Sequence, residues 1–238
     1  MMAKSKKKVK PGKGEELLEN PEVLAEQISK TEEFLEKNRK LVFVFGGAIA
    51  LIIGAYFLYN YWITNRNVAA QNEMFQAVYY FEADSLDRAL EGDGNNLGFI
   101  EIINDYSLTE AANLAHYYAG ACFLKKGEYI SAVEHLSKFS SSDLLVQARA
   151  YALIGDANVE MGNLDEAVTY YNKAANYEPN EFTTPAYLMK AAVVYELKED
   201  YKSALNCYET IVKEYVNSNE YQTARKHKAR LEGMVNAG

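Results

Sequence analysis

The sequence predicts an all-α protein: a single transmembrane helix near the N-terminus, followed by a solenoid of antiparallel helical hairpins. Three observations carry that prediction. Residues 41–63 form a 23-residue run without Asp, Glu, Lys, Arg or His. After residue 64 strand signals are nearly absent, and alanine-rich helical patterns take over. Within those patterns the small residues Ala132, Ala167 and Ala204 recur 35 and 37 residues apart, the self-similarity expected of a stacked repeat.

Taken in order, residues 1–20 are rich in lysine and glutamate and read as a disordered basic cytoplasmic tail. Asn20, Pro21 and Glu22 then form a helix start: an N-cap, a proline at the first position and an acid in the first turn. Leu24, Ile28, Phe34 and Leu35 recur at near-helical spacing, so residues 21–40 read as a juxtamembrane helix that runs on into the span.

The run 41–63 would be about 34 Å long as a helix, enough for a hydrocarbon core of about 30 Å. Twelve of its residues are Leu, Ile, Val or Phe, each favouring insertion by roughly 0.3–0.6 kcal/mol. Lys30, Lys37, Arg39 and Lys40 precede it closely, whereas only Arg66 follows closely. Positive charge stays in the cytoplasm, so the N-terminus is expected inside and residues 64–238 outside. Tyr56, Tyr59, Tyr61 and Trp62 sit at the outer end, where amphipathic rings favour the headgroup layer. The run is too long, and starts too far in, for a cleaved signal peptide, so it reads as a signal anchor. Gly46, Ala50 and Gly54 leave one bare stripe along it, a candidate packing face for another membrane helix.

The exported part is acidic, with fifteen basic and twenty-five acidic residues after position 63. That balance argues against nucleic-acid partners and against adhesion to anionic lipid. Cys122 and Cys207 are too few for a disulfide scaffold and read as apolar packing residues, with pairing left open.

The clearest repeat begins at Ala148. Tyr151, Ile154, Gly155, Ala167, Tyr171, Ala174 and Pro179 fall at its positions 4, 7, 8, 20, 24, 27 and 32. These offsets match the tetratricopeptide repeat (TPR) pattern, with Asn158 standing where a tyrosine is usual. Gly155 and Ala167 are small where two antiparallel helices cross, Gly162-Asn163 makes the turn, and Pro179 follows the second helix. A second unit covers residues 185–218, turning at Glu199-Asp200, and a third covers residues 113–143 and closes on Ser140-Ser141-Ser142-Asp143. Residues 67–106 read as a degenerate first hairpin, with the loop 91–96 between its helices. Asn219 to Met234, carrying Arg225, Lys226, Lys228 and Arg230, reads as a polar C-terminal capping helix. The fold class is therefore a TPR α-solenoid behind one membrane anchor.

No catalytic, cofactor or metal signature emerges. His116, His135 and His227 lack ligand partners at a recurring spacing, and no Walker loop, dinucleotide fingerprint, G-x-S-x-G or H-E-x-x-H occurs. Asp93-Gly94-Asn95 resembles a fragment of a calcium loop, but the glutamate spacing fails. The chain reads as a non-enzyme without cofactors. An unrecognised enzyme would require His116 or His135 to line a pocket beside perturbed carboxylates.

TPR proteins bind partners on the face built from the first helix of each unit. Here that face would hold Tyr117, Ala121 and Leu124; Arg149, Ala152, Asp156 and Val159; and Met189, Val193 and Glu196. The Lys and Asn of the chaperone-binding carboxylate clamp are absent, so an apolar or extended peptide segment is the expected ligand.

A basic tail, one N-in anchor and an exported TPR arc, with Asn20-Pro21-Glu22-Val23-Leu24-Ala25 before the anchor, together resemble the YfgM-like family in its Bacteroidetes form. The resemblance implies a bacterial inner-membrane protein with a periplasmic C-terminal domain. It further implies association with translocon subunits of the Sec system, a membrane-anchored periplasmic chaperone and exported client chains. An alternative of another class is a structural adaptor for envelope assembly or cell division, similar to the TPR proteins of the Tol–Pal system.

Overall fold

The computed structural model describes residues 21–236, and all regular structure among them is helical. The expected disordered tail 1–20, including the Asn20 cap, lies outside the described residues. The chain divides into two compact units, with the boundary between Tyr61 and Trp62.

In the first unit, helix α1 spans Pro21–Lys37, with Glu22 in its first turn and Lys37 in its last. Both charges complement the helix dipole. Helix α2 spans Arg39–Glu82, so the helix expected to run unbroken from residue 21 is interrupted at Asn38. The cause is local: the Asn38 side chain donates to the Phe34 carbonyl at 2.9 Å, the acceptor its own backbone N–H also uses. Such side-chain competition with the ladder is why asparagine is a poor helix-interior residue. The apolar part of α2 is long and hydrophobic enough to cross a membrane, and its most apolar window is wholly unburied.

The second unit begins on the same helix, where Ala70, Met74 and Ala77 are buried. Met74 and Ala77 pack in a core with Phe99, Ile102, Ala115, Ala119 and Cys122. Where a two-helix hairpin was expected, α2 is followed by two short helices, α3 (Leu86–Glu91) and α4 (Phe99–Asp105). Asp84, in the left-handed region at φ 58°, ends α2 and lets the chain turn into α3. A Cβ on Gly98 would lie 2.2 Å from the Leu90 carbonyl oxygen, so only glycine allows the close return into α4.

Three hairpins follow: α5 (Glu110–Lys126) with α6 (Tyr129–Lys138), α7 (Leu144–Glu160) with α8 (Leu164–Asn176), and α9 (Thr184–Leu197) with α10 (Tyr201–Glu214). Their turns place Gly127, Gly162 and Glu199 in the left-handed region, at φ 79°, 76° and 60°. Close crossing within the hairpins explains the small residues. A Cβ on Gly155 would meet the Tyr171 ring at 2.6 Å, and one on Gly120 would meet Leu136 at 2.5 Å. Ala132, Ala167 and Ala204 are completely buried at the equivalent place in each unit.

Side-chain caps fix where the first helices α5 and α7 start, whereas Thr183 before α9 makes no such bond. Thr109 accepts from Ala112 N at 3.1 Å, and Asn67 of α2 accepts from Ala111 N at 2.9 Å, so two orphan donors of α5 are satisfied. Asp143 accepts from the N–H groups of Leu145 and Val146 and caps α7. Asn158, the departure from the usual tyrosine, is buried and donates to the Ile154 carbonyl at 2.8 Å. Helix α11 (Tyr221–Asn236) buries Ala224 and Leu231, stacks His227 on Tyr208 and turns a charged surface outward.

Candidate partner-binding face

The candidate face is built from α5, α7 and α9. Two of its expected residues are packing groups: Ala121 and Ala152 are 8% and 4% exposed, too buried to touch a partner directly. Tyr117 is half-buried against Phe139 and Tyr118, with ring centroids 5.3 and 5.6 Å apart. Burial pushes its phenol above the ordinary tyrosine range. Met189 is half-buried, while Arg149 and Val193 are exposed.

Leu124, Asp156 and Val159 come together in one cleft of 420 Å³. Tyr129, Glu160, Tyr171 and Lys190 complete it; the repeat pattern marks Tyr171 only as a packing residue, and nothing in the sequence singles out the other three. Asp156 accepts from the Tyr171 hydroxyl at 2.6 Å and from Lys190 Nζ at 2.5 Å. Burial first, then the Asp156 hydrogen bond, drives the Tyr171 phenol well above its ordinary range. The hydroxyl therefore stays protonated and donating. Glu196 accepts from the Tyr208 hydroxyl at 2.8 Å and pairs with Arg230 of α11. Burial alone would raise its carboxyl, but Arg230 and Tyr208 hold it below the usual range.

A larger cleft of 890 Å³ lies on the loop edge, between residues 107–114 and 139–146, with Tyr177 at its border. Neither cleft includes a histidine. His116 and His135 instead face each other across α5 and α6, with Nδ1 atoms 3.1 Å apart. Burial, then mutual repulsion and Lys138, brings His116 down to about 4; burial and Lys138 lower His135 as well. Both imidazoles are neutral at pH 7, one donating and one accepting. Cys122 and Cys207 are free and buried in separate cores, and burial raises their thiols to about 12 and about 11. Neither is poised for thiolate chemistry. Asp93 accepts from the Tyr80 hydroxyl and from the backbone of Asn95 and Asn96, so its oxygens hold the loop together. Among the described residues, no three His, Cys, Asp or Glu side chains converge as a metal site.

On α2, the Gly46, Ala50 and Gly54 stripe is exposed, and a Cβ at either glycine would meet nothing within 4 Å.

This geometry, tight helical hairpins with a Gly-to-aromatic crossing and an open face of first helices, defines a repeat solenoid of the tetratricopeptide class. Residues 148–181 and 186–218 each match the tetratricopeptide repeat family. The chain is also 27% identical over 139 residues to a TPR repeat-containing protein of Methanocaldococcus jannaschii. The match covers 58% of this chain and 23% of that protein, so the chain spans about a quarter of that relative's length. Residues 148–218 thus carry two tetratricopeptide repeats, on a chain with one helix long and apolar enough to cross a membrane.

Proposed function

We propose that this chain is a bacterial inner-membrane protein whose residues 41–63 anchor it with the N-terminus in the cytoplasm. Residues 1–20 form its cytoplasmic tail, 21–40 its juxtamembrane helix and 64–238 its periplasmic TPR domain. In this reading the protein is an accessory of the Sec translocon and the periplasmic chaperone network, holding or handing over exported chains. The observation that carries it is the pairing of an unburied apolar helix with a TPR face on which Leu124, Val159 and Val193 remain available to a partner. The basic residues before the apolar run and the YfgM-like layout supply orientation and setting. TPR proteins are generally scaffolds rather than enzymes, and the same holds for this reading.

Photo-crosslinking in living cells from Tyr117 and Met189 tests it. Capture of translocon subunits, a periplasmic chaperone and many exported chains supports the secretion role. Capture of a single envelope or division protein, without export machinery, replaces it with the adaptor role.

A further inference from the structure

An apolar groove of 440 Å³ lies where α1 meets the apolar run of α2, bordered by Phe34, Asn38, Leu41, Val42, Phe45 and Gly46. Among the described residues, one helical face supplies all of its lining. Across the break at Asn38 the backbone keeps helical register: Asn38 N donates to the Phe34 carbonyl at 3.0 Å, and Val42 N to the Asn38 carbonyl at 2.9 Å. One seam therefore runs through both helices. It holds Ile28, Thr31, Leu35, Asn38, Val42 and Phe45, at alternating intervals of three and four residues, and Ile49 and Ile52 continue it. That alternation is the heptad spacing that keeps a stripe facing a supercoiled partner helix. Ile28, Leu35, Val42 and Phe45 are exposed, as is Phe34 beside them. The groove ends at Gly46, where a bare backbone lets a second helix approach.

Charge decides what covers the seam. Helix α1 carries five glutamates against two lysines, so anionic lipid repels it and does not hold it flat on the bilayer. None of the glutamates stands on the seam, and Glu26 pairs with Lys30 at 2.7 Å on the opposite side. In a parallel pair of these helices the heptad sets Phe34 of one against Arg39 of the other, a ring against a guanidinium. Asn38 meets its own counterpart. Its Nδ2 gives one hydrogen to the Phe34 carbonyl at 2.9 Å, and its Oδ1 accepts no hydrogen bond among the described residues. The second Nδ2 hydrogen and that oxygen are the groups two facing asparagines exchange. A polar residue in an apolar seam fixes register and strand number.

We infer that residues 28–52 pair with the same residues of a second copy as a parallel two-stranded coil, in register at Asn38. The inference rests on the membrane span of the proposed function and not on its export role. Two anchors inserted in the same direction make the pair parallel.

The test is disulfide cross-linking of the full chain in membranes from cells that make it, with copper phenanthroline as oxidant. Single cysteines replace Ile28, Thr31 or Leu35 on the seam, and Ser29, Glu33 or Glu36 away from it. Cys122 and Cys207 are buried, so the unsubstituted chain gives the background. Seam variants should yield several-fold more of a species at twice 26.8 kDa than the outward ones. Adding Leu35→Lys to Thr31→Cys should return the yield to background. Equal yields at all six positions would mean chance collision, and a seam cysteine joined to a protein of another mass would mean a different partner. Either result overturns the pairing, as does the absence of cross-links in a chain that alkaline carbonate leaves in the membrane pellet. Seam-periodic cross-links in a chain that carbonate releases would keep the pair and remove the span; release without cross-links would remove both.

Discussion

Asp156 of α7 and Lys190 of α9 meet at 2.5 Å, joining two successive hairpins across the floor of the 420 Å³ cleft. The same carboxylate oxygen also receives the Tyr171 hydroxyl of α8, so one side chain ties three helices together. Its two bonds differ in worth. The Lys190 pair is partly solvated, with side chains 45% and 28% exposed, and such pairs contribute only about 0–1 kcal/mol. The Tyr171 ring is buried, and removing its acceptor strands a donor at a cost of about 1–3 kcal/mol. Lys190→Ala should therefore lower stability by less than about 1 kcal/mol, and Asp156→Ala by about 1–3 kcal/mol. Urea midpoints of the two variants provide the comparison; equal losses would contradict this ranking.

Gly155 faces Tyr171 so closely that a single methyl group must displace the ring or the helix, since the added carbon would sit 2.6 Å away. Overpacking of this kind costs typically about 1–3 kcal/mol. Gly155→Ala should reduce the urea midpoint even though alanine is the better helix former. A stabilised variant would mean that the α7–α8 crossing is looser than it looks.

The three hairpin turns carry a contrast that can be used. Gly127 and Gly162 occupy the left-handed region without strain, whereas Glu199 adopts φ 60° with a side chain attached. A left-handed residue other than glycine costs roughly 1–2 kcal/mol, offset in part by the backbone freedom that glycine adds to the unfolded chain. Glu199→Gly is expected to raise stability by about 0.5–1 kcal/mol, read as a higher melting temperature.

Much of this was legible in the sequence because small residues must recur wherever hairpins cross. Gly155, Ala167 and Tyr171 announced the α7–α8 contact by offset alone. The turn at Gly162 and the cap at Asp143 were readable from residue chemistry for the same reason. The binding face was less legible. The repeat register finds which helix faces the partner side, but it cannot tell that Ala121 and Ala152 sink between helices while Lys190 reaches back to Asp156. Such contacts join residues 34 positions apart through long, flexible side chains, and no periodicity encodes them. Helix α3 was missed because six residues are too few to display a period.

The facing imidazoles of His116 and His135 make stability depend on pH. Their folded pKa values lie below the ordinary histidine value, His116 near 4. The neutral pair's contribution is therefore fully present above about pH 6.5 and is lost as pH falls toward 4. Glu134 and Lys138 are the nearby charged groups on α6; Lys138 opposes protonation, and Glu134 favours it. Thermal unfolding followed from pH 7.5 to 4.5 should give a falling midpoint, and His116→Gln should flatten the curve over that range. Parallel curves for wild type and variant would show that carboxylates elsewhere dominate the acid response.

The apolar part of α2 supplies the most decisive prediction about where the protein acts. Twelve aliphatic or phenylalanine residues in the run 41–63 favour insertion by roughly 4–7 kcal/mol together. A lysine near the bilayer centre costs about 2.5–3.5 kcal/mol on the same scale, so the double replacement Leu51→Lys with Ile52→Lys should cancel most of that advantage. Both residues are exposed and neither supports the hairpin cores, so the TPR unit should still fold. Alkaline carbonate extraction should leave the unaltered chain in the membrane pellet and release the doubly substituted one. An alkaline phosphatase fused after Gly238 should be active in the first case, because the reporter requires export, and inactive in the second. Release of the unaltered chain would exclude a spanning helix; retention with an inactive reporter would keep the span but reverse its orientation.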